Sequence, residues 1–484
     1  MTLNAETHSS KEETPSSKEE TPSSQSDQPS RGIFQTIRGA FVGLLADMER
    51  SPGFYIWVSF LIALVFLAGY SLLMSLIFGM EIFEFSLKIP WEMMVSNYVF
   101  LVGSSVGLCL VVSLGSVFGL KRYELIGKRG LFLALIAIIL GLSSIGLHLG
   151  HPERGAIYNA LTPNLFSAMW YMSTLYPPYI ACLAVWYWLL ARRDLARTAA
   201  ESEGLRAKIY NILALEGLKA YAYERMPLQR WESKLNRTIP LQKLGLSLEA
   251  ENADLNWARV LGTLALISGL IAYTIEGSLF AHTEARPFWY GPLYPIDFFL
   301  GAGFCGFSWL MALGILTHKL KREQFSEAYR TLLSEMAEIL ALLLSAGVLF
   351  TAYKMGHGLL EPAKAKTVML FLNGPFSLNF WIFEIAIGLV LPIPILIYSA
   401  RKRKTAGIAT ASIMVLAGYF VKKYDFVVAS QVYPVIKEGL PSYFPAIMEI
   451  ILIGGIIATF LLVYTLGARF LPLKEQGSHR GPVI

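Results

Sequence analysis

Along this chain apolar residues gather into long runs, and the charges fall in short clusters between them. Ten runs exceed the roughly 18 residues that mark a candidate membrane span. They lie at roughly 53–79, 93–119, 129–149, 165–191, 257–280, 293–318, 334–360, 376–400, 405–424 and 443–468. A helix rising 1.5 Å per residue crosses a hydrocarbon core of about 30 Å in some 20 residues, so each run is long enough to span. The expected fold is an all-α membrane protein of about ten transmembrane helices. The ninth run is short and closes at Lys422 and Lys423.

Outside the runs the chain divides simply. Residues 1–30 carry the direct repeat Lys-Glu-Glu-Thr-Pro-Ser-Ser at 11–17 and 18–24, with almost nothing to bury, and read as a disordered leader. From 31 to 52, Ile33, Phe34, Ile37, Phe41, Leu44 and Leu45 recur at helical spacing beside Arg38 and Arg50, the pattern of an interfacial amphipathic helix. No secretory signal precedes the first run, which is too long for a signal core. Helices 1–4 occupy 53–191 and helices 5–10 occupy 257–470. Between them, 192–256 is a polar insert whose Leu and Ala spacing suggests surface helices, and 471–484 is a tail.

Composition excludes a soluble enzyme: apolar residues make up 54% and charged residues 16% of the 484, against the roughly 25% charge of a soluble protein. The 41 basic and 35 acidic side chains leave a net charge of +6. The basic groups flank apolar runs and form no exposed groove, which points to membrane orientation and away from nucleic acid. Lys121, Arg122, Lys128 and Arg129, the insert, Lys319, Lys321 and Arg322, and Arg401 to Lys404 all fall in even-to-odd connections. The positive-inside rule puts those connections and both termini in the cytoplasm, and the odd-to-even connections outside.

The more reactive polar groups collect on the other side. Trp91, Glu92 and Asn97 open span two, and His148, His151, Glu153, Arg154 and Asn164 bridge spans three and four. Glu276, His282, Glu284, Arg286 and Asp297 bridge five and six, Lys354, His357 and Glu361 close seven, and Lys423, Asp425 and Gln431 close nine. Glu276 and Glu384 lie inside apolar runs, where an ionised carboxylate costs a few kcal/mol unless partnered, and Lys354 is a candidate counter-ion to either. Polar residues at helix ends need no purpose where water begins. A cluster of His, carboxylate, amide and Trp at one leaflet is what a hydrogen-bonded, proton-exchanging ligand site uses. Pro152 should end span three near Gly150, leaving His151, Glu153 and Arg154 in a loop over a pocket mouth. Glu284-Ala-Arg-Pro-Phe-Trp-Tyr-Gly-Pro292 has the stiffness of an interfacial lid, and an aromatic belt is the plainer account of it. Gly103 to Gly107 and Gly115 to Gly119 permit close helix contacts. Pro177-Pro178 and Pro392 with Pro394 suggest kinks.

The three cysteines, Cys109, Cys182 and Cys305, lie in separate apolar runs with no CxxC pair, so no disulfide framework, zinc site or iron–sulfur cluster is expected from this chain. His148, His282, His318 and His357 all stand near span ends, and no span pairs two internal histidines, so no haem is expected either.

Several motifs match a known family. Pro90-Trp91, Asn97-Tyr-Val-Phe-Leu-Val-Gly-Ser-Ser-Val-Gly107, Leu147-His-Leu-Gly-His-Pro-Glu-Arg154 and Thr162-Pro-Asn-Leu-Phe-Ser-Ala-Met-Trp170 resemble the NrfD/PsrC family of quinone-interacting membrane subunits. The 284–292 motif and Tyr424-Asp-Phe-Val-Val-Ala-Ser-Gln431 are similar to its ten-span branch, which includes DsrP and HybB. The resemblance covers about 55–470. It implies paired four-helix bundles plus flanking helices, and a quinone, with menaquinone the expected type, bound near the outer face of a bacterial or archaeal cytoplasmic membrane. It implies no redox metal in this chain. Electrons would pass to an iron–sulfur partner subunit at the outer face and on to a catalytic subunit, a molybdopterin enzyme or a hydrogenase.

Carried over by position, Trp91, Glu92, Asn97, His148, Arg154, Asn164 and Trp170 would line or support the quinone pocket. Glu276, His282, Glu284 and Arg286 would form its second motif, with Glu276 and His148 at the chemistry and Glu384, Lys354 and Asp425 along a proton path. Family members commonly have Arg where this chain has His151, and Asn where it has Asp425. Quinol oxidation releases two protons and two electrons, so such a site needs hydrogen-bond partners for both ring oxygens and a protonatable route to water. Two other classes stay open: a secondary transporter or proton-translocating protein, and a purely structural anchor.

Overall fold

The computed structural model describes residues 52–83, 89–149, 151–214, 250–432 and 444–473. The expected leader and, Pro52 apart, the expected amphipathic helix fall outside the described residues, as do residues 215–249 of the insert. Among the described residues, ten helices are long and apolar enough to cross a membrane: α1 Pro52–Phe78, α2 Met93–Ser116, α3 Lys121–His148, α4 Ala168–Ala200, α5 Asp254–Ala281, α6 Leu293–Leu320, α7 Glu327–Leu360, α8 Asn379–Arg401, α9 Thr405–Val432 and α10 Ile447–Phe470. No strand occurs among the described residues.

The helices form two four-helix groups. One is α2–α5, closed by α2 against α5; the other is α6–α9, closed by α6 against α9. They meet along α2, α5 and α6, and α1 pairs with α10 beside α2 and α3. Burial follows from this plan. Of the apolar windows of α2 and α6, 83% is buried, against 17% for α1, whose side chains face the surroundings. The α2–α6 contact depends on Gly107 and Gly306, because a Cβ on Gly107 would lie 1.8 Å from the Ala302 carbonyl oxygen. Backbones approach this closely only where both surfaces are small. The motif read from the sequence thus joins the two bundles.

Several helices differ from the sequence expectation in their bounds or regularity. α9 does not end at Lys422 and Lys423 but runs to Val432, through a π-helical stretch Asp425–Ala429. The two lysines look like a terminus only while their partners on other helices are unknown. α4 continues past 191 to Ala200 with Pro177 and Pro178 inside it, and the helix Gly204–Ala214 packs back against it. α8 is π-helical over Asn379–Val390 and becomes α-helical at Pro392, whose missing N–H makes that register change inexpensive.

The end of the bundle carrying the even-to-odd connections is tied by ion pairs. Lys128 Nζ lies 2.5 Å from Asp194 Oδ2, Arg192 pairs with Asp254, and Arg122 pairs with Glu335.

Candidate functional site

The opposite end brings the unusual polar groups together. Its first centre lies in the α2–α5 bundle. Glu276, 1% exposed on α5, accepts a 2.6 Å hydrogen bond at Oε2 from the Tyr176 hydroxyl of α4. Tyr176 in turn lies 3.5 Å from the Tyr98 hydroxyl of α2. Glu276 Oε1 is buried with no hydrogen-bond partner among the described residues. Asn97, fully buried, donates to Ser144 Oγ at 3.2 Å, while its own carbonyl oxygen likewise has no partner among the described residues. Buried acceptors left open in this way are costly, and an incoming hydroxyl would relieve them.

A lid covers this centre. Trp91 stacks on Trp289 at 5.1 Å and meets Phe280 edge-on at 5.3 Å. Trp289 Nε1 donates to the Phe426 carbonyl at 2.7 Å, and Arg286 Nη1 donates to the Gln431 carbonyl at 2.7 Å. Gln431 bridges back, its Nε2 donating to the Trp91 carbonyl at 2.6 Å and its Oε1 accepting from the Trp91 N–H. The π-helical stretch of α9 interrupts the regular backbone ladder, and lid side chains take up carbonyls there and in the following turn. Partial burial lowers the pKa of Arg286 from the usual guanidinium value. Gly291, at φ +126, turns the lid into α6 where a side chain would be strained. Glu92 is fully buried, and His148 lies beside the Pro90 backbone. Glu449 of α10 reaches across to accept from the Met94 N–H at 3.0 Å, supplying the cap that the α2 N-terminus lacks from Glu92.

A second centre lies in the α6–α9 bundle. Lys422 Nζ is 2.8 Å from Asp297 Oδ1 and 3.7 Å from Glu384 Oε1, with Thr351 Oγ1 at 3.5 Å. Lys423, also buried, lies 3.9 Å from Asp297 Oδ2 and 3.6 Å above the Phe298 ring. Asp425 Oδ1 accepts from Asn379 Nδ2 at 3.0 Å.

Of the residues singled out from sequence, the lid end gathers Trp91, Glu92, His148 and Arg286 above Glu276, with Asn97 on the same bundle. Arg154, Asn164 and Trp170 lie to one side. Arg154 is exposed on a short helix, Pro152–Leu161, in place of the expected loop, because Pro152 starts a helix at its N1 position. Asn164 is exposed and accepts from the Phe166 N–H, and Trp170 Nε1 donates to the Asn159 carbonyl. His151 pairs with Glu153 at 3.0 Å, and both are exposed; a backbone N–H and then His151 hold the Glu153 pKa below the ordinary value. His282 and Glu284 are exposed. Lys354, Glu384 and Asp425 belong to the second bundle, and Lys354 makes no ion pair with Glu276 or Glu384. The counter-ion of Glu384 is Lys422.

Nothing in the sequence marks Tyr176 or Glu449 as site residues; Tyr98 and Trp289 stand there only inside longer motifs, and Asp297, Lys423 and Gln431 only as polar residues at span ends. Tyrosines inside apolar runs give no local signal, but the apolar Phe426-Val-Val-Ala429 beyond Lys423 is a visible sign that α9 continues. Among the described residues no group of three His, Cys, Asp or Glu side chains is arranged to hold a metal ion.

The chain is similar to membrane subunits of reductase complexes. It is 26% identical over 427 residues to a subunit of the selenate reductase of Mesobacillus selenatarsenatis, covering 85% of this chain and 92% of that one. It is 20% identical over 409 residues to the Hdr-like menaquinol oxidoreductase integral membrane subunit of Archaeoglobus fulgidus, covering 80% and 86%. The family described as "Polysulphide reductase, NrfD" matches residues 81–435, most of the chain and all the helices that carry both polar centres. This protein belongs to the NrfD family and is a multi-pass membrane subunit of the reductase-complex type.

Proposed function

We propose that the chain exchanges electrons between quinol and a partner subunit, with Glu276 as the group that takes or returns the proton. The observation that carries this reading is the Tyr98–Tyr176–Glu276 chain: a buried carboxylate with one oxygen held by a tyrosine and the other open, below a lid of aromatic and amide groups. The open Glu276 oxygen fits a hydroxyl of the ring, and Tyr176 holds the other oxygen so that the carboxylate keeps its direction. Trp91 and Trp289 shield the centre from water, and Arg286 and Gln431 keep them in place. A bound quinol supplies two electrons and two protons. His148 lies between the lid and the bundle and fits a proton exit to the aqueous side.

Menaquinone is the expected quinone, supported by the name of the Archaeoglobus relative. An iron–sulfur partner at the lid end, followed by a molybdopterin-type or hydrogenase catalytic subunit, completes the electron route. The loop charges orient that end outward and both termini inward. Glu384 and Asp425, with Lys422, form a candidate proton path in the second bundle. A secondary transporter would need a polar route through both halves of the bilayer. Of the two carboxylates in the inner halves of the spans, Glu335 is instead engaged with Arg122 near the surface, and Glu338 is exposed.

Replacing Glu276 with Gln, or His148 with Phe, should abolish quinol-dependent turnover of the purified complex while partner subunits still copurify. Wild-type turnover in both variants would remove the site assignment.

A further inference from the structure

A cleft of about 230 Å³ lies at the lid end of the second bundle, away from Glu276. Phe288, Tyr290 and Tyr294 wall it on the lid side, and Tyr353, Lys354 and His357 on the α7 side. Lys354 is only 8% exposed. Its ammonium faces the Phe288 and Tyr294 rings at 5.8 and 5.5 Å, near the limit of useful cation–π attraction. No described residue lies within hydrogen-bond or ion-pair distance of it, and the Asp297 and Glu384 carboxylates act on it only from farther off. An ammonium with three donors and no acceptor in contact is costly, and the cleft is the space from which an acceptor can reach it. At the rim, Lys364 Nζ holds Glu361 at 2.8 Å, and His357 Nδ1 is 3.3 Å from the same carboxylate.

Shape narrows the ligand. Lys354 lies six residues before Leu360, about 9 Å down α7 from its end. Four aromatic rings line a volume suited to one small planar ring system; drug-sized ligands need roughly 300–1,000 Å³. Tyr353 lines the cleft and is also 57% exposed, and Leu349 and Leu360 are exposed along α7 at 73% and 83%. The cleft therefore opens sideways onto an apolar surface, as a ligand with a hydrocarbon tail requires.

We propose that this cleft is a second head-group site, which takes a planar ring presenting an oxygen acceptor to Lys354 while its apolar tail leaves past Tyr353 into the bilayer. It rests on the proposed quinone function only for the class of ring. The chain would hold two such molecules, one at each bundle, and the second would stand within reach of the Asp297–Lys422–Glu384 group.

The test is equilibrium binding of 2-heptyl-4-hydroxyquinoline N-oxide, a ring with an oxygen acceptor and a short tail, to the purified complex in detergent. The wild type should bind two per copy of this chain. Lys354→Met should bind one, with at least a tenfold loss at the other site, and Lys354→Arg should regain part of it. Glu276→Gln should weaken only the site that Lys354→Met leaves intact. A wild-type value of one that Lys354→Met does not change and Glu276→Gln abolishes overturns the second site alone. No binding to the wild type overturns it together with the quinone reading. Displacement from the Lys354 site by vesicles of phosphatidylglycerol, but not phosphatidylcholine, would make the cleft an anionic-lipid site and overturn the proposal. A Lys354→Met complex that retains its partner subunits and unfolding midpoint makes each outcome readable.

Discussion

Asp297 is the residue whose replacement tests the second centre most directly. Its carboxylate lies 2.8 Å from the Lys422 ammonium and 3.9 Å from that of Lys423, all three side chains being buried. With an effective dielectric constant of about 20, those distances correspond to attractions of about 6 and about 4 kcal/mol. Desolvation of each ion costs several kcal/mol in return, so the intact cluster gains little over an apolar packing of the same volume. Removing one member is different, because the charges left behind keep their desolvation cost and lose their partner. Asp297→Asn should therefore destabilise the protein by about 3–5 kcal/mol. The double variant Asp297→Asn, Lys422→Met removes one charge of each sign and leaves Lys423 with Glu384. It should cost less than the sum of the two single changes, with a coupling of about 2–3 kcal/mol. Unfolding by sodium dodecyl sulfate in mixed micelles measures all four states of this cycle. A single variant within about 0.5 kcal/mol of wild type, or costs that simply add, would show that these side chains do not act as one coupled cluster.

Other expectations follow from single contacts. Gly107→Ala should cost about 3 kcal/mol or more, since the new methyl meets backbone at 1.8 Å, whereas Gly146→Ala, with nothing within 4 Å, should be neutral or stabilising by up to about 1 kcal/mol. Thermal unfolding in detergent compares the two. Trp289→Phe leaves the Phe426 carbonyl without its side-chain donor and should cost about 1–3 kcal/mol, with faster proteolysis of the 282–292 segment as a second measure. Glu449→Ala exposes the Met94 N–H at the start of α2 and should cost about 0.5–2 kcal/mol. For orientation, Glu284→Cys in sealed cells should react with an impermeant maleimide, and Lys402→Cys should react only after permeabilisation; the reverse pattern would invert the assigned topology.

The number of spans, the class of protein and the end at which reactive polar groups gather are all local properties of the chain, and local properties can be read from sequence. A run of apolar residues needs bilayer whatever its neighbours are, and a charge beside a run orients it without reference to any other helix. The family motifs are legible for the same reason, as short contiguous strings. Contacts between distant residues are not. Asp297 and Lys422 are 125 positions apart, and nothing in either string says that one neutralises the other; without that partner, Lys422 and Lys423 read as the end of a span. Tyr176 becomes part of the Glu276 centre only when α4 packs against α5, and Glu449 becomes a cap only when α10 crosses the start of α2. Arg154 and Asn164 go the other way: their motifs are intact in sequence, but Arg154 is exposed on the helix that begins at Pro152 and Asn164 is exposed in the connection after it. Which buried charges sit in contact with a partner, and which, like Lys354, meet theirs only at a distance and border a cleft, is settled by helix packing. Burial fixes the energetic cost of a charge, and burial exists only once the helices have come together.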